Sequence, residues 1–226
     1  LEFAKTPPKG WNSWDVYGAS VTEEEVKRNA DIMAEKLKKY GCNYVVVDIQ
    51  WYEPGAESAA YRKFADLKID EYSRVLPAEN RFPSSADGVG FAPLAEYVHQ
   101  LGLKFGIHIL RGIPRQAVHG RMHIKGTDKT ADQIAINSIC PWNSDMYGVD
   151  MSIPEGQLYY DSLMELYASW GVDFIKVDDI AYSTIYRDSH RKEIEGRDEV
   201  LQCKVWWGWG EEGEFCSEHQ ISVDVE

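Results

Sequence analysis

The sequence has no apolar run approaching the ~20 residues that cross a bilayer as a helix. It has four cysteines, Cys42, Cys140, Cys203 and Cys216, and none stands in a CxxC spacing, which weakens a zinc or thiol-redox reading. Proximity alone offers Cys203–Cys216 as a disulfide. There is no N-x-S/T acceptor, phosphate-cradling glycine loop or dinucleotide fingerprint, so nucleotide-dependent chemistry is rejected. Basic charge is also scarce: Lys+Arg 24 stand against Asp+Glu 37, a net charge of -13. With no basic patch, nucleic acid and anionic membrane are poor partners, and uncharged or cationic ligands stay open. The opening LEFAKTPPKG lacks the charged start and apolar stretch of a signal peptide. A cleaved signal leaves no trace, so the compartment stays undecided.

What is present suits one globular domain, or one with an appendage. The 226 residues are 44% hydrophobic with 18 glycines, enough to bury a sizeable core. Three segments share one plan, an amphipathic helix stopped by glycine and followed by an apolar strand. In VTEEEVKRNADIMAEKLKKYG, Thr22 is the expected N-cap and Glu25 completes a capping box. Val26, Ala30, Met33, Leu37 and Tyr40 fall on one helical face ahead of Gly41 and the strand YVVVDIQW (44–51). FAPLAEYVHQLG repeats the plan with Leu94, Val98, Leu101 and Gly102, followed by LKFGIHIL. PEGQLYYDSLMELYASWG comes third with Leu158, Leu163, Leu166, Trp170 and Gly171, ahead of VDFIKVDD. Glycine after a helix is a common left-handed cap. Helix-to-strand alternation of this kind predicts a parallel α/β architecture with right-handed crossovers. The strand-to-helix links, 52–92 and 110–153, are long and hold Tyr52, Arg81, Arg111, Trp142 and Asp145. Loops of that length point to function.

The stretch WGVDFIKVDDI (170–180) ends an apolar strand in charge. Strand alternation puts Lys176 and Asp178 on one face and Asp179 on the other. Buried charge is costly unless paired. The pattern alone reads equally as a structural ion pair or a candidate active site. The consecutive Asp188, Ser189 and His190 read as a polar helix start, because a catalytic triad assembles from distant segments.

TPPKGWNSWD (6–15), YVVVDIQW (44–51), LGLKFGIHI (101–109) and WGVDFIKVDD (170–179) together resemble glycoside hydrolase family 27, the α-galactosidase or melibiase family. The resemblance implies a (β/α)8 TIM-barrel catalytic domain and a retaining glycosidase acting on α-galactosides. It places Asp178 at the catalytic nucleophile, Lys176 at the sugar-binding lysine beside it, Asp48 at a hydroxyl-holding aspartate and Trp14 at the pocket aromatic. Trp51 is expected at the pocket mouth. His108, where many members carry tyrosine, is open between pocket and core. The implied partner is a carbohydrate, with no metal or cofactor. The resemblance favours a secreted or periplasmic protein. Where the family pairs two aspartates, residue 49 is isoleucine, which removes a hydroxyl acceptor and bears on which sugar is accepted. Related members act on β-L-arabinopyranosides or isomaltosyl units. A disulfide common in eukaryotic members would join positions near Gln116 and Ile180, and neither cysteine is present.

Length is the larger departure. A (β/α)8 barrel takes ~250 residues, and four strands here consume about 180, leaving ~46 where each further unit needs about 30. The expectation is therefore an incomplete barrel of about four units over 1–195, with an atypical tail at 196–226. That tail, which carries Trp206, Trp207 and Trp209, reads as a divergent hairpin or as truncated or frame-shifted sequence. No motif is available for the acid/base carboxyl that retaining enzymes need. A catalytically inactive sugar-binding protein is the rival from another class. Open barrel edges make a homo-oligomer an expectation.

Overall fold

The computed structural model describes residues 7–58 and 60–179. The Cys203–Cys216 pair, the Asp188–His190 run and the tail at 196–226 lie outside them. Seven strands are present among the described residues. Strands β1 (Gly10–Asn12), β2 (Tyr44–Val47), β3 (Lys104–Leu110) and β7 (Phe174–Asp178) form one sheet in the order β1-β2-β3-β7, and every neighbouring pair is parallel. Consecutive parallel strands joined by helices are part of a (β/α) barrel wall. Strands β4 (Ile113–Pro114), β5 (Ala135–Ile139) and β6 (Met146–Val149) make a small antiparallel sheet inside the 110–153 link. That link also holds helices α4 (Arg115–Gly120) and α5 (Ala131–Ile134). The other helices are α1 (Trp14–Tyr17), α2 (Glu23–Ile32), α3 (Ala92–Gln100) and α6 (Pro154–Ser169).

The local signals act as expected at the helix starts and stops. The Thr22 hydroxyl accepts from the Glu25 N–H, and the Glu25 carboxylate accepts from the Thr22 N–H at 2.8 Å, a complete capping box. Gly41, Gly102 and Gly171 all have positive φ, the left-handed turn that releases the chain into the next strand. Two buried faces differ from the periodicity. Val26, Ala30 and Met33 are buried, but Leu37 and Tyr40 are exposed. After Ile32 the chain winds as a π-helix over Met33–Leu37 and then as a 3-10 turn over Lys38–Tyr40. The wider turn inserts an extra residue and rotates Leu37 and Tyr40 out of the core. In α6 the buried face is Tyr159, Leu163 and Tyr167, continued by Trp170, while Leu158 is exposed. Tyrosine rings, which bury much area, take the place given to leucine.

An aromatic cluster fills the space between sheet and helices. Trp51 meets Tyr52 and Phe91 with ring centroids 5.2 Å apart, and Tyr167 and Trp170 at 6.1 and 6.2 Å, all near edge-to-face. Gly90, at φ 57, admits the Trp170 indole; a Cβ there would lie 2.1 Å from Trp170 Cε2.

The link after β2 is fastened by one buried guanidinium. Arg81 donates to the carbonyls of Gln50, Glu53, Ala19 and Val21, tying the end of β2 to the entrance of α2. Burial pulls its pKa down to about 10, against the opposing charges of Glu53 and Glu25. Replacing Arg81 with Met strands those buried carbonyls. The expected loss is about 3 kcal/mol of unfolding free energy in urea titration. A loss below about 0.5 kcal/mol would contradict the clamp.

Candidate active site

Parallel register builds the site. Val47 pairs with Ile107, which pairs with Ile175, and His108 pairs with Lys176. The next rung therefore sets Asp48, His108 and Lys176 in a row at the C-terminal rim, where barrel enzymes place their chemistry. Asp178 stands two residues beyond Lys176 on the same face. A cavity of about 230 Å³ opens over this rim, lined by Trp14, Asp48, Ile49, Tyr61, Trp142, Lys176 and Asp178.

The GWNSW segment explains how Asp48 and Trp14 come together. Asn12 Oδ1 accepts from the Trp14 N–H at 2.9 Å, and its Nδ2 donates to Asp48 Oδ2 at 2.7 Å. Ser13 Oγ accepts from the Asp48 N–H at 2.9 Å. Lys176 Nζ donates to the same Asp48 Oδ2 at 2.9 Å. Asp48 is buried, which pushes its carboxyl up, but the charges of His108 and Lys176 and the Ile49 N–H outweigh that and hold it below the usual carboxylate range.

Asp178 is held differently from the sequence expectation. Its direct partner is His108, with Nε2 and Oδ2 3.1 Å apart, while the Asp179 N–H donates to Oδ1 at 2.7 Å. An ionised carboxylate offers only acceptors, so Nε2 carries the proton in this contact. Burial again raises the Asp178 carboxyl, and the His108 hydrogen bond and charge, the Asp179 N–H and the charge of Lys176 bring it below the ordinary value. Lys176 thus bonds Asp48 and reaches Asp178 through its field.

Two expectations about burial are settled by side-chain direction. Trp51 does not face the cavity: Gln50 adopts φ 61 and turns the chain, so the Trp51 ring is fully buried in the aromatic core. Its Nε1 donates to the His108 carbonyl at 2.7 Å, bracing β3 from behind. His108 is likewise fully buried beneath the cavity and not on its wall. On the opposite face Asp179 pairs with Arg111 at 2.9 Å. Burial and the neighbouring Asp178 charge raise the Asp179 carboxyl, against the pull of Arg111. Asp145, buried, accepts from Gln50 and Tyr52 at 2.9 and 3.2 Å, locking the 143–145 turn to the end of β2.

Sequence reasoning missed Tyr61, which reaches the cavity from the middle of the first long link. It stacks on Trp14, centroids 5.9 Å apart and planes 22° apart, and meets Trp142 at 5.6 Å. No local pattern marks it, because its neighbours in space come from α1 and the second link. Trp142 was visible only as one of several aromatics in a long loop.

The Lys176–Asp48 bond has a pH signature. A carboxyl lowered on folding adds stability above its unfolded pKa of about 3.9 and loses it as pH falls through the folded value. In Lys176→Met, Asp48 keeps its burial but loses its ammonium partner. The predicted loss near pH 7 is about 2 kcal/mol in urea titration, because Lys176 is only partly buried. That loss shrinks as pH drops to about 4, where protonation relieves the stranded charge. A loss independent of pH would contradict the pairing.

Comparison with known proteins agrees with this geometry. The family model described as Alpha galactosidase A (Melibiase_2) matches residues 6–153, more than half of the 226. A β-L-arabinopyranosidase of glycoside hydrolase family 27 from Geobacillus stearothermophilus, solved in complex with arabinose, is 65% identical with a TM-score of 0.80. The alignment covers 85% of this chain and 44% of that one. Alpha-galactosidase A of Cellvibrio japonicus is 28% identical over 93% of this chain and 42% of its own length. An isomalto-dextranase of Arthrobacter globiformis, 17% identical with a TM-score of 0.58 over 81% of this chain and 30% of that one, shares the fold alone. The chain thus spans less than half the length of these relatives. The family match over residues 6–153 places the chain in the α-galactosidase A family, glycoside hydrolase family 27.

Proposed function

We propose that this chain carries the nucleophile and sugar cradle of a retaining glycosidase that acts on β-L-arabinopyranosides. Asp178, kept ionised by His108 and the Asp179 N–H, is the nucleophile. A carboxylate oxygen attacks the anomeric carbon as the glycosidic C–O bond breaks, giving a glycosyl ester. Water then cleaves the ester with net retention. Asp48 stays ionised and accepts from sugar hydroxyls, positioned by Lys176 and Asn12. The same ionisation makes Asp48 unsuited to donating a proton, so the acid/base role goes to no cavity carboxylate among the described residues. Trp14 offers its face to the C–H side of the ring.

Ile49 carries the choice of sugar. It lines the cavity beside Asp48, buried and apolar. β-L-Arabinopyranose has the ring configuration of α-D-galactopyranose without the exocyclic hydroxymethyl group. A wall that offers methyl groups where a carboxylate would take a hydroxyl fits the pentose and leaves the hexose hydroxyl unpaired. The 65% identity to an arabinopyranosidase supports the same choice. The α-galactoside named by the more distant relatives is the second reading.

The test uses activated glycosides, which need little acid assistance. Incubation with 2,4-dinitrophenyl β-L-arabinopyranoside is expected to add one pentosyl unit to the intact mass, and Asp178→Asn to add none. Ile49→Asp is expected to shift the labelling-rate ratio toward the α-galactoside by at least about tenfold. Faster labelling of the unaltered chain by the galactoside would overturn the arabinoside reading. Labelling by neither sugar would overturn the enzyme reading.

A further inference from the structure

Tyr61 sits in the cavity without a role in the proposed mechanism. Its ring is held between two indoles, Trp14 at 5.9 Å and Trp142 at 5.6 Å, so the phenol tip has little freedom to swing away. It shares the cavity wall with Asp48, Ile49, Lys176 and Asp178. Among the described residues no hydrogen bond to its hydroxyl is made, although a half-buried phenol ordinarily finds one. A tethered ring on the cavity wall, with an unengaged hydroxyl near two carboxylates, is the arrangement of a group awaiting a ligand.

The chemistry of its neighbours narrows what that ligand supplies. Burial, with the negative charges of Asp48 and Asp178 adding to it, pushes the Tyr61 phenol far above its ordinary value. It is therefore a neutral O–H near pH 7. The two carboxylates can only accept, and Lys176 is engaged with Asp48. A sugar hydroxyl that donates to a carboxylate keeps lone pairs in need of a donor. We propose that the Tyr61 hydroxyl donates to one hydroxyl of the bound pyranose, and is thereby a determinant of which sugar the cavity holds. This rests on the glycosidase reading.

Tyr61→Phe keeps the ring between its two indoles and removes only the oxygen. Titration calorimetry of the full chain with L-arabinose is expected to show about tenfold weaker binding in Tyr61→Phe, the loss of one hydrogen bond. Repeating the titration with monodeoxy arabinopyranoses identifies the partner. For one of them the penalty of Tyr61→Phe vanishes, because the hydroxyl it served is already absent. Equal affinity of Tyr61→Phe and the unaltered chain for L-arabinose would overturn the Tyr61 proposal and leave the glycosidase reading standing. A penalty that persists undiminished through the whole deoxy series would overturn it too, since Tyr61 would then act only on the shape of the cavity. An unaltered chain that binds no sugar and takes no glycosyl label removes the glycosidase reading, and Tyr61 with it.

Discussion

The rest of the site depends on the bond between Lys176 and Asp48, which joins the last described strand to the second across the buried His108. Asp48 is nearly inaccessible to water, and a carboxylate there is tolerable because an ammonium, an amide and a backbone N–H meet it and the charge of His108 lies close by. The same ammonium adds its field to that of His108 at Asp178. His108 and Lys176 together therefore keep both carboxylates charged. This arrangement needs parallel strands in strict register, because a shift of one residue would turn Lys176 or His108 to the opposite face.

The register is in turn held from behind. Trp51 fills the core between sheet and helices and donates to the His108 carbonyl, so the strand carrying His108 is fixed from the side away from the cavity. Arg81 fastens the loop leaving β2, and Asp145 fastens the turn after Trp142 to the same strand end. These groups touch no ligand in the mechanism. Their effect is to keep Asp48 within bonding distance of Lys176 and to hold the wall that Trp14, Tyr61 and Trp142 make.

Much of this was legible in the residues. The glycine stops, the Thr22 capping box and the apolar runs placed the sheet strands and the helices between them, because those signals act over a few residues. Strand alternation put Lys176 and Asp178 on one face, as found. The partners were not legible: alternation cannot tell that Lys176 bonds Asp48 and that His108 bonds Asp178, since both contacts cross between strands. Trp51 was placed at the mouth because it comes directly after an apolar strand, but the left-handed turn at Gln50 sends it inward. The π turn after Ile32 breaks a helical face that the spacing of Val26, Ala30, Met33, Leu37 and Tyr40 predicts to be continuous. The antiparallel sheet inside the second link went unread, because β4 is only 2 residues long and the β5–β6 ladder is irregular between Ile136 and Ile139. Tyr61 carries no local signal at all, since its place is set by two loops meeting.

The central claim is that the strand-end cavity of this chain holds a pyranose between Asp48 and Asp178. A crystal structure of the chain soaked in L-arabinose tests it most directly. The predicted result is one sugar in the cavity, with hydroxyls on Asp48, its ring against Trp14 and its anomeric carbon facing the Asp178 carboxylate. An empty cavity at saturating sugar, or a sugar bound only elsewhere on the chain, would contradict it.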